Sequence, residues 1–247
     1  MSRCVAGLAV ALMLLKMGTW LAVARFSASP SLNAAYVGAT LLMLWSYVMA
    51  VGVVPASKPP SDGRVRAAES DLDDAPRYCE RCDAPKAALV HHCSSCRRCV
   101  YRMDHHCPWT NNCVGWDNKK HFLLFLLYTA LSCLLFNAIV SALVWRVDSS
   151  AAPRSDASLL QLTWALSLLV GIVLTGYLLF HIWLLHRGLT TFEFLMRQRG
   201  ELADTPLLYN ATVYFGSNVA LWWLPVAPRL DARMGGASQR ETRELLV

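Results

Sequence analysis

The segment from residue 79 to 113 contains seven of the nine cysteines in this 247-residue chain. It consists of CERC at 79–82, HHCSSCRRC at 91–99, DHHC at 104–107 and a final Cys113. Short-spaced cysteine pairs that alternate with histidines are typical of zinc ligands rather than of a disulfide framework. Because free thiols persist in reducing compartments, the pattern also favours a cytosolic location for this segment.

The number of ligands indicates more than one metal site. Two tetrahedral zinc sites need eight ligands, and the segment offers seven cysteines and four histidines, which leaves three groups over. A segment this short has few apolar residues for a core, and zinc binding, worth about 10–16 kcal/mol per structural site, can supply its folding energy. One interpretation is therefore a zinc-stabilised module without chemistry of its own.

Three neighbouring polar residues suggest chemistry instead. Asp104, His105 and Cys107 lie close together among the metal ligands. A thiol attacks a carbonyl as its thiolate, and a nearby imidazole can take the proton. A carboxylate beside the imidazole fixes its tautomer and stabilises the imidazolium. The residues alone leave Cys107 open between a nucleophile and a further thiolate ligand.

The chain around this segment is apolar enough for a membrane protein. Hydrophobic residues make up 55% of it. Four apolar stretches, at about 5–23, 34–54, 122–145 and 159–185, have the roughly 20 residues that cross a bilayer as a helix. Lys16 lies within the first, where a central charge costs about 2.5–3.5 kcal/mol. We expect its side chain to snorkel or to face the interior of the helix bundle.

The distribution of basic residues predicts the orientation. The long loop between the second and third stretches is rich in Lys and Arg, whereas the turn at 27–33 carries no charge. Both termini and the long loop are therefore expected in the cytosol. The predicted fold is an α-helical integral membrane protein with a zinc-stabilised cysteine-rich domain between spans two and three. The predicted parts are transmembrane helices 1 and 2 (1–54), a flexible linker (55–76), the cysteine-rich domain (77–121), transmembrane helices 3 and 4 (122–186) and a cytosolic C-terminal region (187–247).

The cysteine-rich segment resembles the DHHC protein S-acyltransferases, or palmitoyltransferases. The family spacing C-x2-C-x9-H-C-x2-C-x2-C-x4-D-H-H-C-x5-C is present in full from Cys79 to Cys113. The order of two spans, a cysteine-rich loop and two more spans is also the family's. Further matches are Asn112–Gly115, Asn118–Phe122, the Thr-Thr-x-Glu motif at 190–193, and Asn210 six residues before Gly216.

The resemblance implies a role for each ligand. One zinc ion would bind Cys79, Cys82, His92 and Cys99. The other would bind Cys93, Cys96, His106 and Cys113. Cys107 would then be the nucleophile, with His105 as its general base and Asp104 orienting the imidazole. The Thr-Thr-x-Glu motif would give structural support near the catalytic loop, with its threonines at a helix start.

The implied activity is transfer of a long-chain fatty acyl group, typically palmitoyl, from acyl-CoA to protein cysteines through an acyl-enzyme. The implied cofactors are two structural zinc ions, with acyl-CoA (palmitoyl-CoA) as co-substrate. The partners would be the lipid bilayer and proteins with membrane-proximal cysteines, in the endoplasmic reticulum or Golgi. The small excess of positive charge and the membrane spans argue against a nucleic-acid binder. The alternatives are a membrane-anchored zinc-binding scaffold and a transfer-deficient pseudoenzyme.

Two departures from the family pattern stand out. Residues 86–89 are Lys-Ala-Ala-Leu where the family often has Lys-Pro-x-Arg, and Thr110 replaces the usual Val or Ile. We expect neither to touch a ligand or a catalytic residue. The segment 212–226 is too short to span and is predicted to lie at the membrane interface. Trp109 and Trp116 suit either the interface or the packing of the zinc module. Candidates for contacts with CoA phosphates are Arg97, Arg98, Lys119 and Lys120, although these also fit the positive-inside bias.

Overall fold

A computed structural model of the protein describes residues 2–27, 29–58, 77–87, 89–144, 154–198, 200, 202–203 and 205–228. The predicted linker lies outside these ranges except for its first four residues. The chain beyond residue 228 also lies outside them.

Four long helices form the membrane part: α1 (Ser2–Val23), α2 (Pro30–Gly52), α3 (Lys119–Val144) and α4 (Arg154–His186). Each contains a stretch that is long and apolar enough to cross a bilayer, which confirms the four predicted spans. Helices α3 and α4 begin before the predicted apolar stretches, because hydrophobicity marks the lipid-facing length and not the polar first turn. Helix α2 begins where the Ser29 side chain accepts a hydrogen bond from the Leu32 N–H, with Pro30 in the first turn.

Burial in the four helices differs from that in a water-soluble bundle, because apolar side chains are exposed on the outside as well as buried inside. Helix α3 lies centrally and packs against α2 and α4. Large aliphatic side chains are exposed, among them Leu14, Leu21, Leu41, Val48, Leu134, Leu169, Ile172 and Leu179. Small polar side chains are buried, among them Thr19, Thr40, Ser46, Ser132, Thr163 and Ser167. An apolar exterior over small and polar contacts suits helices surrounded by lipid, so this is a multi-pass membrane protein.

Lys16 faces the interior of the bundle, the second of its two expected placements. Its side chain is buried, and Nζ donates a hydrogen bond of 2.6 Å to the Ser132 hydroxyl of α3. Close by, the Thr19 and Thr163 hydroxyls are hydrogen-bonded at 3.3 Å. Polar side chains therefore link α1 to the rest of the bundle.

The cysteine-rich domain consists of three antiparallel two-stranded hairpins. Their strands are β1 (Arg77–Cys79) with β2 (Ala84–Lys86), β3 (Val90–Cys93) with β4 (Arg98–Tyr101), and β5 (His105–Cys107) with β6 (Asn112–Val114). The three turns are alike, because each ends on a residue with positive φ: Asp83 (50°), Arg97 (54°) and Asn111 (49°). Strands of three or four residues bury little apolar surface, so these hairpins need other connections.

Two asparagines attach the third hairpin to the end of α2. Asn112 Nδ2 donates to the carbonyls of Ala50 (3.1 Å) and Val53 (2.9 Å). Asn118 Nδ2 donates to the Val53 carbonyl (3.1 Å) and to that of Cys113 (2.9 Å). The last carbonyls of a helix have no partner within it, so these amides both cap α2 and hold the domain against the bundle.

The chain just after α2 is also held by the domain. The Ala56 carbonyl accepts from the Tyr101 N–H at 2.8 Å, and the Ala56 N–H donates to Asp117 Oδ2 at 2.8 Å. The beginning of the predicted linker is therefore hydrogen-bonded to the cysteine-rich domain that follows it in the chain.

The C-terminal region contains two short helices, α5 (Thr191–Leu195) and α6 (Leu207–Phe215). Thr190 and Glu193 form a reciprocal capping box at the start of α5, where the motif predicts a helix start. Asn210 of α6 is fully buried and donates to the Leu185 carbonyl at the end of α4. Thr212, Val213 and Tyr214, the first residues of the predicted interfacial segment, are buried in α6.

Gly188 lies where two backbone segments touch after α4. Its φ is +66°, and an added Cβ would lie 2.0 Å from the Leu202 carbonyl oxygen. We expect Gly188→Ala to lower the free energy of unfolding by at least about 1–3 kcal/mol, because strain and overlap add. Thermal unfolding of the detergent-solubilised protein measures this loss. Gly176→Ala in α4 is the control, since nothing lies within 4 Å of its added Cβ; equal stability of the two variants would contradict the prediction.

Candidate active site

The first candidate metal centre joins hairpins one and two. Cys79 and Cys82 come from the turn of the first hairpin, and His92 and Cys99 are cross-strand partners in the second. The ligand atoms of all four lie within 4.8 Å of one another. His92 Nδ1 is 3.5 Å from Cys79 Sγ and 3.2 Å from Cys82 Sγ, and the sulfurs of Cys82 and Cys99 are 3.7 Å apart.

The second candidate centre repeats this arrangement one hairpin later. Cys93 and Cys96 come from the turn of the second hairpin, and His106 and Cys113 are cross-strand partners in the third. Cys96 Sγ is 3.3 Å from both His106 Nδ1 and Cys113 Sγ. The predicted ligand sets are the two that the structure brings together.

These separations fit a metal ion in each centre. Zinc–sulfur bonds of about 2.3 Å and zinc–nitrogen bonds of about 2.0 Å place tetrahedral ligands roughly 3.5–3.8 Å apart. The observed separations of 3.2 to 3.8 Å lie near these values. The middle hairpin contributes to both centres, so together they can join the three hairpins into one body.

Cys107 takes the equivalent position in the third hairpin. Cys79, Cys93 and Cys107 follow one another at intervals of 14 residues, and each closes the first strand of its hairpin. Three residues later the first two hairpins have a second cysteine, whereas the third has Thr110. Cys107 thus lies in a metal-binding type of turn but belongs to neither ligand set.

Thr110 touches the candidate nucleophile, so the expectation that this departure is remote from the site is wrong. Its side chain is buried, and Oγ1 donates to the Cys107 carbonyl at 3.4 Å. Burial raises the pKa of the Cys107 thiol, but the hydrogen bond and charge of His105 and the hydrogen bonds from Thr110 outweigh it and lower that pKa. The turn therefore supports the thiolate.

Asp104 is fully buried at the centre of a polar cluster. Its Oδ2 accepts from His105 Nδ1 and from the Thr191 hydroxyl, both at 2.7 Å. Its Oδ1 accepts from Lys119 Nζ at 2.9 Å and from the Thr191 N–H at 3.1 Å. Four donors hold the carboxylate, so the first turns of α3 and α5 fix its position beside His105.

The charges of the cluster favour an ionised Cys107–His105 pair. Burial would raise the pKa of Asp104, but the Lys119 charge and the His105 hydrogen bond keep it well below its usual range. Burial would lower the pKa of His105, but the Asp104 hydrogen bond and the interaction with Cys107 raise it to about 9. Asp104 thereby orients the imidazole, and His105 can hold a proton taken from the thiol.

A third group of possible ligands, Asp104, His105 and His181, lies within the same 4.8 Å limit. Lys119 and Thr191 already bond to both oxygens of the carboxylate. A metal cation there would lie next to the Lys119 ammonium, which is electrostatically unfavourable. This cluster is better suited to proton transfer than to metal binding.

Two candidate phosphate contacts are wrong. Lys119 and Lys120 are each 1% exposed. Lys119 is paired with Asp104, and Lys120 Nζ donates to the Leu221 carbonyl at 2.9 Å. Neither ammonium is at the surface, so both serve to connect parts of the protein. Trp116 is also buried, which leaves packing of the domain as its role, whereas Trp109 is exposed at the mouth of a cavity.

A cavity of about 400 Å³ extends from Cys107 into the helix bundle. Its walls are mainly apolar, from Leu12, Met43, Phe125, Leu126, Val170 and Leu174. Lys16 and Thr163 also line it, as does Tyr177 of α4. The cavity therefore offers an apolar space that opens at a thiol.

Residues 72–198, just over half of the chain, match the model of the DHHC palmitoyltransferase family. The chain belongs to this family. The assignment agrees with the fold, because a cysteine-rich domain whose ligand groups fit metal ions lies between the second and third of four apolar helices.

Several curated DHHC relatives resemble the chain. Palmitoyltransferase pfa3 of Aspergillus fumigatus is 45% identical over 126 residues, which are 50% of this chain and 23% of that protein. Palmitoyltransferase ZDHHC15A of Danio rerio is 40% identical over 157 residues, 61% of this chain and 48% of the relative. Probable protein S-acyltransferase 12 of Arabidopsis thaliana is 32% identical over 209 residues, 77% and 71% of the two chains. The chain spans less than half the length of the first two.

Sequence reasoning on this DHHC protein missed two contacts of the site. Lys119 was interpreted as a contact for CoA phosphates or as part of the charge bias that orients the protein in the membrane. Tyr177, whose hydroxyl is 3.4 Å from His105 Nε2, was not considered. Lys119 is the first residue of α3, so its distance from Asp104 depends on how the helix meets the third hairpin. Tyr177 carried a usable signal, because it is an aromatic residue with a polar hydroxyl in the C-terminal third of a predicted span.

Proposed function

We propose that the protein is a protein S-acyltransferase that carries a long-chain fatty acyl group on Cys107. One observation supports this most: of the seven cysteines between 79 and 113, Cys107 alone lies outside both ligand sets. It lines the apolar cavity, and His105 interacts with its thiol. A metal ligand would have no need of either feature.

In the first step the Cys107 thiolate attacks the thioester carbonyl of an acyl-CoA. The carbonyl becomes a tetrahedral oxyanion, which collapses as the bond to the CoA sulfur breaks. His105 holds the proton from Cys107 on Nε2 and returns it to the departing CoA sulfur, while Asp104 accepts from Nδ1 throughout. The products are an acyl-enzyme and free CoA.

In the second step a cysteine of a protein substrate attacks the acyl-enzyme. His105 takes the proton of the incoming thiol and returns it to Cys107 as the acyl group leaves. Each step exchanges one thioester for another, so the cycle needs no other energy source. Membrane-proximal cysteines are the acceptors that can reach a thiol at the mouth of a bundle of spans.

The cavity suits the acyl chain physically. Each buried CH₂ gains about 0.8 kcal/mol relative to water, so a long chain favours an apolar space over solvent. The space of about 400 Å³ runs between the helices and ends at Cys107. With palmitoyl-CoA as the substrate, the acyl chain would enter the cavity and the CoA headgroup would stay in water. Arg97 is exposed and remains a candidate for a contact with the CoA phosphates.

The two ligand sets would each hold one zinc ion, and the bound metal would supply folding energy to the cysteine-rich domain. The ligand residues position the reactive turn, since His106 and Cys107 are adjacent. The orientation that fits is one with both termini and the domain in the cytosol, where thiols stay reduced. The endoplasmic reticulum or Golgi is the proposed location.

Incubation with radiolabelled palmitoyl-CoA and a membrane-anchored acceptor peptide tests the activity. We expect label to appear first on the chain and then on the peptide cysteine, in a form that hydroxylamine releases. A peptide with serine in place of cysteine should remain unlabelled. Label that stays on the chain would indicate a transfer-deficient pseudoenzyme, and absence of label from both would favour a zinc-binding scaffold.

A further inference from the structure

Tyr177 places a phenol beside the reactive histidine. It lies on α4, and its hydroxyl is 3.4 Å from His105 Nε2. Its ring packs edge-on against His181, with centroids 4.5 Å apart, and against Phe122 at 6.1 Å. Aromatic neighbours on two sides limit the directions in which the hydroxyl can point.

The Tyr177 hydroxyl lies next to the same ring nitrogen of His105 that serves the Cys107 thiol. His105 Nδ1 is bonded to Asp104, so Nε2 is the atom left to exchange a proton with Cys107. Both Tyr177 and Cys107 line the same cavity. The carbonyl of a thioester under attack lies beside the Cys107 sulfur. Its oxygen would therefore lie near the Tyr177 hydroxyl, which contacts the same imidazole and lines the same cavity.

Two other hydroxyls along the cavity, those of Thr129 and Thr163, are already engaged. Thr129 Oγ1 donates to the Phe125 carbonyl at 2.6 Å, and Thr163 Oγ1 donates to the Leu159 carbonyl at 2.8 Å. These are bonds within their own helices, and they keep both protons away from the cavity. At 3.4 Å, the contact of the Tyr177 hydroxyl with His105 Nε2 is longer than these.

The contacts of Tyr177 leave its proton available for the reaction. Its hydroxyl is 3.4 Å from His105 Nε2, a distance at the limit of a hydrogen bond. An oxygen that gains negative charge beside the Cys107 sulfur is a stronger hydrogen-bond acceptor than a ring nitrogen.

We propose that Tyr177 is a further catalytic residue, whose hydroxyl donates a hydrogen bond to the oxyanion that forms on the thioester carbonyl. The sulfur of Cys107 bonds to the carbonyl carbon, and the carbonyl π electrons move to the oxygen that Tyr177 stabilises. When they return, the bond to the CoA sulfur breaks and that sulfur takes the proton from His105. Tyr177 keeps its own proton, so the step balances. This role rests on the proposed acyl transfer and deepens it.

The test compares Tyr177→Phe with wild type in two reactions of Cys107. The first is single-turnover acylation by palmitoyl-CoA, which passes through an oxyanion. The second is alkylation by iodoacetamide, a displacement at a saturated carbon that forms none. We expect Tyr177→Phe to slow acylation about 10²–10³-fold, the usual loss for one oxyanion donor, and to leave the alkylation rate unchanged.

Two other results would overturn the role. Equal losses in both reactions would make Tyr177 a positioning residue that acts through His105, and no loss in either would make it a bystander. Tyr36→Phe is the matched control, because it removes a phenol that is equally within the bundle but packs against Trp20 and Phe136, outside the cavity lining. Absence of acylation in wild type, with alkylation intact, would instead contradict the proposed acyl transfer itself.

Discussion

Replacement of Cys107 by serine is expected to abolish both the labelling of the chain and transfer to an acceptor. The other members of the cluster can stay in place, because serine is close to cysteine in size and Cys107 is in neither ligand set. A serine hydroxyl, however, remains protonated next to an imidazole that can ionise a thiol. Label on the chain and release of free CoA, both measured after incubation with radiolabelled palmitoyl-CoA, should fall to background.

The control for this substitution is Cys4→Ser. Cys4 is exposed at the start of α1 and belongs to neither ligand set, so this variant should label like wild type. Persistent label on Cys107→Ser would contradict the assignment. It would direct attention to Cys133, the other thiol that lines the cavity. Unchanged metal content in Cys107→Ser would show that its loss of activity is chemical and not structural.

Removal of one proposed zinc ligand is expected to unfold the cysteine-rich domain. Strands of three or four residues contribute little stability, whereas a structural zinc site contributes about 10–16 kcal/mol. Cys99→Ala takes a buried ligand from the first set, and the hairpin that loses it also holds Cys93 and Cys96 of the second. We therefore expect the zinc content to fall from about two ions per chain to one or fewer, with loss of acyl transfer.

Elemental analysis of the purified chain, together with limited proteolysis, measures both effects. Ser94→Ala is the matched control, because this exposed residue lies in the same turn and offers no ligand to either set. It should keep the metal content and protease resistance of wild type. A metal content of about two in Cys99→Ala would mean that the eight ligands are divided differently.

The parts of the protein that local patterns determine were predictable. The family resemblance implied the two ligand groups that the fold brings together, and in each group a turn and the next cross-strand pair are near in sequence. Apolar length predicted the four helices, and the Thr190–Glu193 pattern predicted the start of α5. The 14-residue interval that relates Cys107 to Cys79 and Cys93 was also present in the sequence. Only the structure shows its basis, which is that each of these cysteines ends the first strand of a hairpin.

Contacts between distant segments could not be predicted in this way. The donors to Asp104 come from Lys119 and Thr191, in two different helices. Tyr177 reaches His105 only because α4 passes beside the third hairpin. The sequence alone suggested that Lys119 and Lys120 are surface cations. In the structure both are buried, with Lys119 bonded to Asp104 and Lys120 bonded to the Leu221 carbonyl. Such burial depends on the whole arrangement of helices and not on local sequence.

The attachment of Ala56 to Tyr101 and Asp117 has a consequence for how the chain can vary. The segment between this anchor and Arg77 begins and ends on one rigid body, so its length does not affect how the domain meets the bundle. Each doubling of a loop costs only about 0.6 kcal/mol in closure entropy. Insertions at this point, even of a folded unit, should leave the reactive centre undisturbed, which makes it a suitable position for an affinity tag or a fluorescent reporter.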